Sequence, residues 1–126
     1  MTLALNASNL IEDILPARTF GFLKDVEELR KRGLIQGGSL DNAVVLTDDG
    51  YLNDDLRFED ECIRHKILDL VGDLYLLGRP VMAHIVAFRA GHSLDISLGK
   101  KIQTRIAMDE LALRKEKADL RMASVR

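Results

Sequence analysis

An α+β fold is predicted by three features of this 126-residue chain. Hydrophobic residues make up 47% and charged residues 30%, a balance that suits a globular domain and excludes a disordered one. Apolar residues recur at helical spacing over residues 23–32, over 59–77 and again from residue 93. Between these stretches lie two short apolar runs, Ala43–Leu46 and residues 81–88, which read as strands. At this length the chain is expected to form one domain, with a core near the lower end for independent stability.

Charge and cysteine content narrow the function classes. Net charge is −2 and the isoelectric point is near 5.9, which gives no general attraction to nucleic acid or to an anionic membrane. The single cysteine, Cys62, excludes an internal disulfide and fits a reducing compartment. It falls mid-helix and reads as a small buried hydrophobe. No apolar run approaches the roughly 20 residues that span a bilayer. The opening Met1-Thr2-Leu3-Ala4-Leu5-Asn6 lacks a basic segment followed by a long apolar one, so a cytoplasmic location is expected.

Taken in order, residues 2–5 suggest an extended lead-in or a strand remnant. Asn6 or Ser8 can cap a short helix over residues 9–15, which Pro16 ends. Residues 17–22 read as a turn, with Phe20 and Phe22 as core anchors and Thr19 as a helix cap. A helix over residues 23–32 is closed by Gly33 at its C′ position. Gly37-Gly38-Ser39 follows in a loop that lacks the Gly-Lys-Ser/Thr ending of a phosphate-binding loop. Asp48-Asp49-Gly50 turns the chain after Ala43–Leu46, and Tyr51-Leu52 can return as the second arm of a hairpin.

The central helix is expected from about Glu59 to about Leu77, with Glu59, Asp60 and Glu61 complementing its dipole and Gly78 ending it. A strand over residues 81–88 would be buried on both faces, with His84 as a hydrogen-bonded core residue. Gly91 and His92 lie at that strand's exit, where scaffolds tend to carry reactive side chains. Ser93 can cap a last helix with Leu94, Leu98, Ile102 and Ile106 along one side, which becomes charged beyond Met108 and is expected to fray.

The central helix has two faces. At roughly 100° per residue, Ile63, Ile67, Leu70, Val71 and Leu74 form one apolar stripe, expected to pack on the chain's own sheet. His65 and Asp69 point about 160° away from Ile67, one turn apart, and Lys66 and Asp73 share a flank between the faces. A His and an Asp at this spacing can both reach one divalent cation. They can equally form a solvated polar face with a weak ion pair.

Several motifs form one ordered set: Ala17-Arg18-Thr19-Phe20-Gly21-Phe22, Gly37-Gly38-Ser39-Leu40-Asp41-Asn42-Ala43, Leu56-Arg57-Phe58, Asp60-Glu61, His65-Lys66-Ile67-Leu68-Asp69, Gly72-Asp73 and Gly91-His92. From about Pro16 to Leu98 this set closely resembles the second domain of the UDP-3-O-acyl-N-acetylglucosamine deacetylases, zinc amidases of lipid A synthesis. The resemblance implies a two-layer α/β sandwich with a small βαβ insert, truncated at its N-terminal side. Residues 1–126 would be part of the second domain, 22–46 the insert that passes the substrate's acyl chain, and 109–126 a charged tail.

It also implies roles. His65 and Asp69 match two zinc ligands, and Lys66 matches a lysine that helps hold substrate. Asp73 matches the carboxylate that orients His92, and His92 the protonated histidine that stabilises the oxyanion or protonates the leaving amine. Thr19 matches a residue bonded to the tetrahedral intermediate, and Phe20 lies near the substrate. Zn2+ held by three protein ligands keeps a fourth position for water and polarises an amide carbonyl. An acidic neighbour can keep a histidine charged near neutral pH, and an imidazolium beside a developing oxyanion stabilises it.

The family's third zinc ligand and its general base belong to a Glu-His motif of a first domain, and no Glu-His pair occurs in this sequence. The chain alone is therefore expected to bind zinc weakly and not to turn over UDP-3-O-acyl-N-acetylglucosamine. The missing domain would be supplied in cis, if the chain is a fragment, or in trans, if it is one subunit of a split enzyme. A non-catalytic binding module is the remaining alternative. Asp95 departs from the family, which commonly has Asn shortly after the Gly-His motif.

Overall fold

A computed structural model describes residues 1–123 of the chain. Helices and one small parallel sheet make an α+β fold. It divides into two units, residues 1–69 and residues from 70 onward.

The first unit opens with extended chain and a short helix, α1 (Ala7–Asn9), that widens into a π-turn over Leu10–Ile14. Asn6 accepts from the Ser8 and Asn9 amides, while the Asn9 side chain accepts from the Asn6 amide, a reciprocal cap. The Leu15 amide reaches back five residues to Leu10, and Pro16, with no amide hydrogen to donate, stops the helix. Ile14 is fully buried and Ala17 nearly so.

Residues 17–22, read from sequence as a turn, instead lead into strand β1 (Thr19–Phe22). It pairs in parallel with β2 (Ala43–Leu46), Thr19 opposite Ala43 and Phe22 opposite Leu46. Parallel neighbours need a crossover, and α2 (Leu23–Lys31) supplies it, giving a βαβ element. The core expectation fails for Phe22, which is about half exposed, whereas Val44 is fully buried. As expected, α2 closes at Gly33, whose φ of +73° suits glycine. The Leu34 amide donates to the Leu29 carbonyl and the Gly33 amide to Arg30, which forms a Schellman cap.

Only one residue pair of the expected hairpin forms, Leu46 with Tyr51. The reason is Asn53. Its buried side chain accepts from the Val45 amide and donates to the Leu40 and Ala43 carbonyls, taking the place of a neighbouring strand at the edge of β2.

Helix α3 runs Glu61–Tyr75, shorter at each end than expected. At its first residue Glu61 is only 1% exposed and accepts four hydrogen bonds, from the Arg18 amide, from Arg18 Nε and Nη2, and from the Arg57 amide. The same two arginines tie down the loops. Arg18 donates to the Leu40 and Asp55 carbonyls, and Arg57 to those of Pro16 and Asp41. Beside them Arg64 bonds Asp60 and lies over the Phe58 ring.

The second unit holds the end of α3 and helix α4 (His92–Ala123). Residues 81–88 form no strand and are exposed throughout, His84 included, against the expectation of a buried strand. Among the described residues this unit contains no strand with which they could pair, and an isolated strand leaves its backbone groups unmatched. The α3 stripe is correspondingly ill covered. Leu74 is buried, Leu70 and Val71 are half-buried, and Ile63 in the first unit is half exposed.

Gly91, not Ser93, caps α4, its carbonyl accepting from the Leu94 and Asp95 amides. The covered face of that helix is Asp95, Gly99, Ile102 and Ile106, while Leu94 is exposed. The charged stretch expected to fray is helical as far as Ala123, and residues 124–126 lie outside the described residues.

The Arg18 bonds, opposed by burial and aided by the two backbone donors, hold the Glu61 carboxyl down from 4.5 to about 2. A value depressed in the folded state contributes stability that is complete above pH 4.5 and fades as pH falls towards 2. That contribution is about 3 kcal/mol. Urea midpoints should therefore be clearly lower near pH 3 than near pH 7, and Glu61→Gln should lower the midpoint near pH 7 while shrinking the difference. Asn53→Ala should cost about 1–3 kcal/mol by the same measurement, because it leaves buried backbone groups without partners.

Candidate metal site and catalytic dyad

In the first unit α3 presents His65, Lys66 and Asp69 on adjacent positions of one turn. His65 Nε2 lies 3.2 Å from Asp69 Oδ1, with the two side chains 16% and 12% exposed. Each is also held from behind. His65 Nδ1 bonds the Ala17 carbonyl at 3.1 Å, and Lys66 Nζ donates to Asp69 Oδ2 at 3.1 Å. A carbonyl oxygen has no hydrogen to give, so Nδ1 must carry the proton. In the neutral imidazole, Nε2 then presents a lone pair towards a carboxylate oxygen.

Two lone-pair donors brought face to face are satisfied by a cation between them or by a proton on Nε2. The donor set fits zinc. Tetrahedral zinc with nitrogen and oxygen ligands at about 2.0–2.1 Å places neighbouring donors about 3.3 Å apart, close to the separation seen here. The hydrogen-bonded Nδ1 also matches the way metal-bound histidines are usually oriented. The ion-pair reading, with a doubly protonated His65, uses the same geometry. Among the described residues no group of three His, Cys, Asp or Glu side chains that could hold a metal ion converges, here or elsewhere.

Phe20 of β1 frames this turn. Its ring meets the His65 ring edge-on at 6.1 Å, and Lys66 Nζ lies 5.4 Å from its centroid. A lysine over an aromatic face is attracted by the ring quadrupole. Thr19, the preceding residue, is exposed at the start of β1. Thr19 therefore lies on a strand and caps no helix.

In the second unit the expected pairing of Asp73 with His92 is present. His92 Nδ1 donates to Asp73 Oδ2 at 2.8 Å, with Asp73 15% and His92 65% exposed. The carboxylate fixes the ring and directs Nε2 outward, where it can donate a proton when the ring is charged. The positive φ of Arg89 turns the chain just before this dyad. Cys62 is half-buried, and burial together with the nearby Glu61 charge pushes its thiol up from the ordinary value. That suits a packing role and disfavours a thiolate nucleophile.

Sequence reasoning missed what fixes His65. The Ala17 carbonyl, Arg18 and Glu61 were visible only as parts of motifs, and a backbone acceptor leaves no signature in side-chain spacing.

Comparison with known proteins agrees with these motifs. The family model for UDP-3-O-acyl N-acetylglycosamine deacetylase (LpxC) matches residues 1–104. The UDP-3-O-acyl-N-acetylglucosamine deacetylase of Leptospira biflexa serovar Patoc is 65% identical over 116 residues, 92% of this chain and 38% of that protein. The enzyme of the same name from Syntrophotalea carbinolica is 54% identical over 99 residues, 78% of this chain and 32% of its own length. That from Thermodesulfovibrio yellowstonii is 48% identical over 102 residues, 81% of this chain and 35% of its own. The chain thus spans about a third of the length of the curated relatives it matches. It belongs to the UDP-3-O-acyl-N-acetylglucosamine deacetylase family.

Proposed function

We propose that this chain supplies part of a zinc-dependent deacetylase site that acts on UDP-3-O-acyl-N-acetylglucosamine in lipid A synthesis, in the cytoplasm. The observation that carries the reading is the convergence of His65 Nε2 and Asp69 Oδ1, each braced by a hydrogen bond on its far side. When bound, zinc supplies Lewis-acid polarisation of the amide carbonyl and a water of lowered pKa. His65 and Asp69 would hold it.

The remaining roles are assigned on the same reading. Lys66 neutralises the outer oxygen of Asp69 and, beside Phe20, offers a cation to the substrate. Thr19 offers a hydroxyl to the oxygen that develops charge. His92, held by Asp73, stabilises that oxygen and delivers a proton to the departing amine from Nε2. The βαβ element of residues 19–46, with Phe22, Leu34, Ile35 and Leu40 exposed, supplies apolar surface for the acyl chain. In the complete domain further strands would extend the sheet into a two-layer sandwich.

Two donors do not make a catalytic zinc site, which takes three. The third ligand and the general base are therefore assigned to another domain, joined in cis or supplied in trans, and the chain by itself is proposed to be inactive. A non-catalytic binding module would have no use for a braced His-Asp pair together with a carboxylate-held histidine.

Acetate release from UDP-3-O-acyl-N-acetylglucosamine tests this directly. The chain alone should give none, and measurable turnover by it would overturn the claim that the site is incomplete. In a complete enzyme containing this chain, His65→Ala or Asp69→Ala should abolish stoichiometric zinc, read by metal analysis. Retention of zinc in both variants would remove the ligand assignment. His92→Ala in the same enzyme should keep its zinc and lose about 10²–10⁴ in kcat.

A further inference from the structure

The Ala17–Arg18 peptide unit lies against one turn of α3 and is gripped at both ends by that helix. Its N–H donates to Glu61 Oε1 at 2.9 Å. Its carbonyl accepts from His65 Nδ1 at 3.1 Å. Glu61 and His65 are four residues apart and so stand one above the other on the same face. The peptide is trans, as every peptide bond described here is, so its N–H and C=O point in opposite directions along the helix.

We infer that Glu61 and Arg18 are positioning residues for His65, clamping this peptide so that its carbonyl accepts from Nδ1–H and leaves Nε2, 3.2 Å from Asp69 Oδ1, as the nitrogen that can meet a metal. Without such a clamp a neutral imidazole exchanges between tautomers, and the one with Nε2 protonated cannot bind a metal through that atom.

The clamp is built to be stiff. Glu61 is buried to 1% exposure and engages the guanidinium of Arg18 through both oxygens, Nε at 2.8 Å and Nη2 at 2.9 Å. A planar fork on a carboxylate fixes direction as well as distance. Arg57 adds its amide to Glu61 Oε2, and its guanidinium donates to the Pro16 carbonyl, one residue before the gripped unit. The carboxylate therefore determines the orientation of a peptide whose other end orients the histidine. Outer groups of this kind typically change metal affinity by about 10–100-fold when removed.

The Nδ1 claim concerns the metal-free chain, whereas the affinity claim rests on His65 being a zinc ligand. Long-range proton–nitrogen correlation on the ¹⁵N-histidine-labelled chain near pH 8 reads the two ring nitrogens directly, and zinc competition with a chromophoric chelator reads affinity. The unsubstituted chain should show a proton on His65 Nδ1, the nitrogen that meets the Ala17 carbonyl. Glu61→Gln keeps one acceptor oxygen for several donors, so it should leave Nδ1 unprotonated in part of the population and weaken zinc binding about tenfold or more. Arg18→Lys retains the backbone N–H but loses the fork, and should shift both readouts the same way by less.

If Glu61→Gln does not fold, as judged by its amide spectrum, Arg18→Lys decides alone. A folded variant that loses stability yet keeps Nδ1 protonated and zinc affinity unchanged would overturn the inference, as would an Nδ1 without a proton in the unsubstituted chain. If Nδ1 responds as expected while His65→Ala binds zinc like the parent, the clamp stands and the ligand assignment falls.

Discussion

The ion pair between Arg18 and Glu61 is the constraint on which the first unit depends. It joins the residue just before β1 to the first residue of α3, 43 positions later in the chain. Removing two charges from water is costly, and a buried pair returns that cost only when its geometry is good and its remaining valences are filled. Here they are filled. Both oxygens of Glu61 accept two hydrogen bonds, and the guanidinium of Arg18 reaches two further carbonyls on separate loops. A small unit with few fully buried apolar side chains thus gains a single, directional point of attachment between strand, loops and helix.

From that point the site follows by short steps. Clamping residues 17 and 18 sets the start of β1, which puts Phe20 edge-on to His65 and under Lys66. It also sets the Ala17 carbonyl, which determines which nitrogen of His65 is available. The helix does the rest, since a four-residue step brings Asp69 to 3.2 Å from Nε2. In the second unit His92 Nδ1 is held instead by a carboxylate, that of Asp73. Both histidines have one ring nitrogen fixed by a hydrogen bond.

Legibility was uneven for physical reasons. Helices α2 and α3 were readable because a 3.6-residue period and a terminal glycine are local signals. β2 was readable as a short apolar run, but β1 was not, since Thr19-Phe20-Gly21-Phe22 acquires its strand geometry only from pairing with Ala43–Leu46. The opposite error arose at residues 81–88, whose apolar pattern promises a strand that these residues do not form without a neighbour. Asn53 shows a third case. A polar residue in a loop gave no hint that it would stand in for a missing strand at a sheet edge.

The amino-acid sequence by itself determined the family, the identity and spacing of His65, Asp69, Asp73 and His92, and the helix that carries the first three, because motif order and helical periodicity are properties of the chain alone. Only the tertiary structure decided that Thr19 lies on a strand, that Asp73 reaches His92, and that Glu61 grips a peptide instead of merely facing a helix dipole. It also decided what His65 Nδ1 meets. That partner is a backbone carbonyl 48 residues away, and nothing in the composition of either segment records a contact that exists only once the chain has closed on itself.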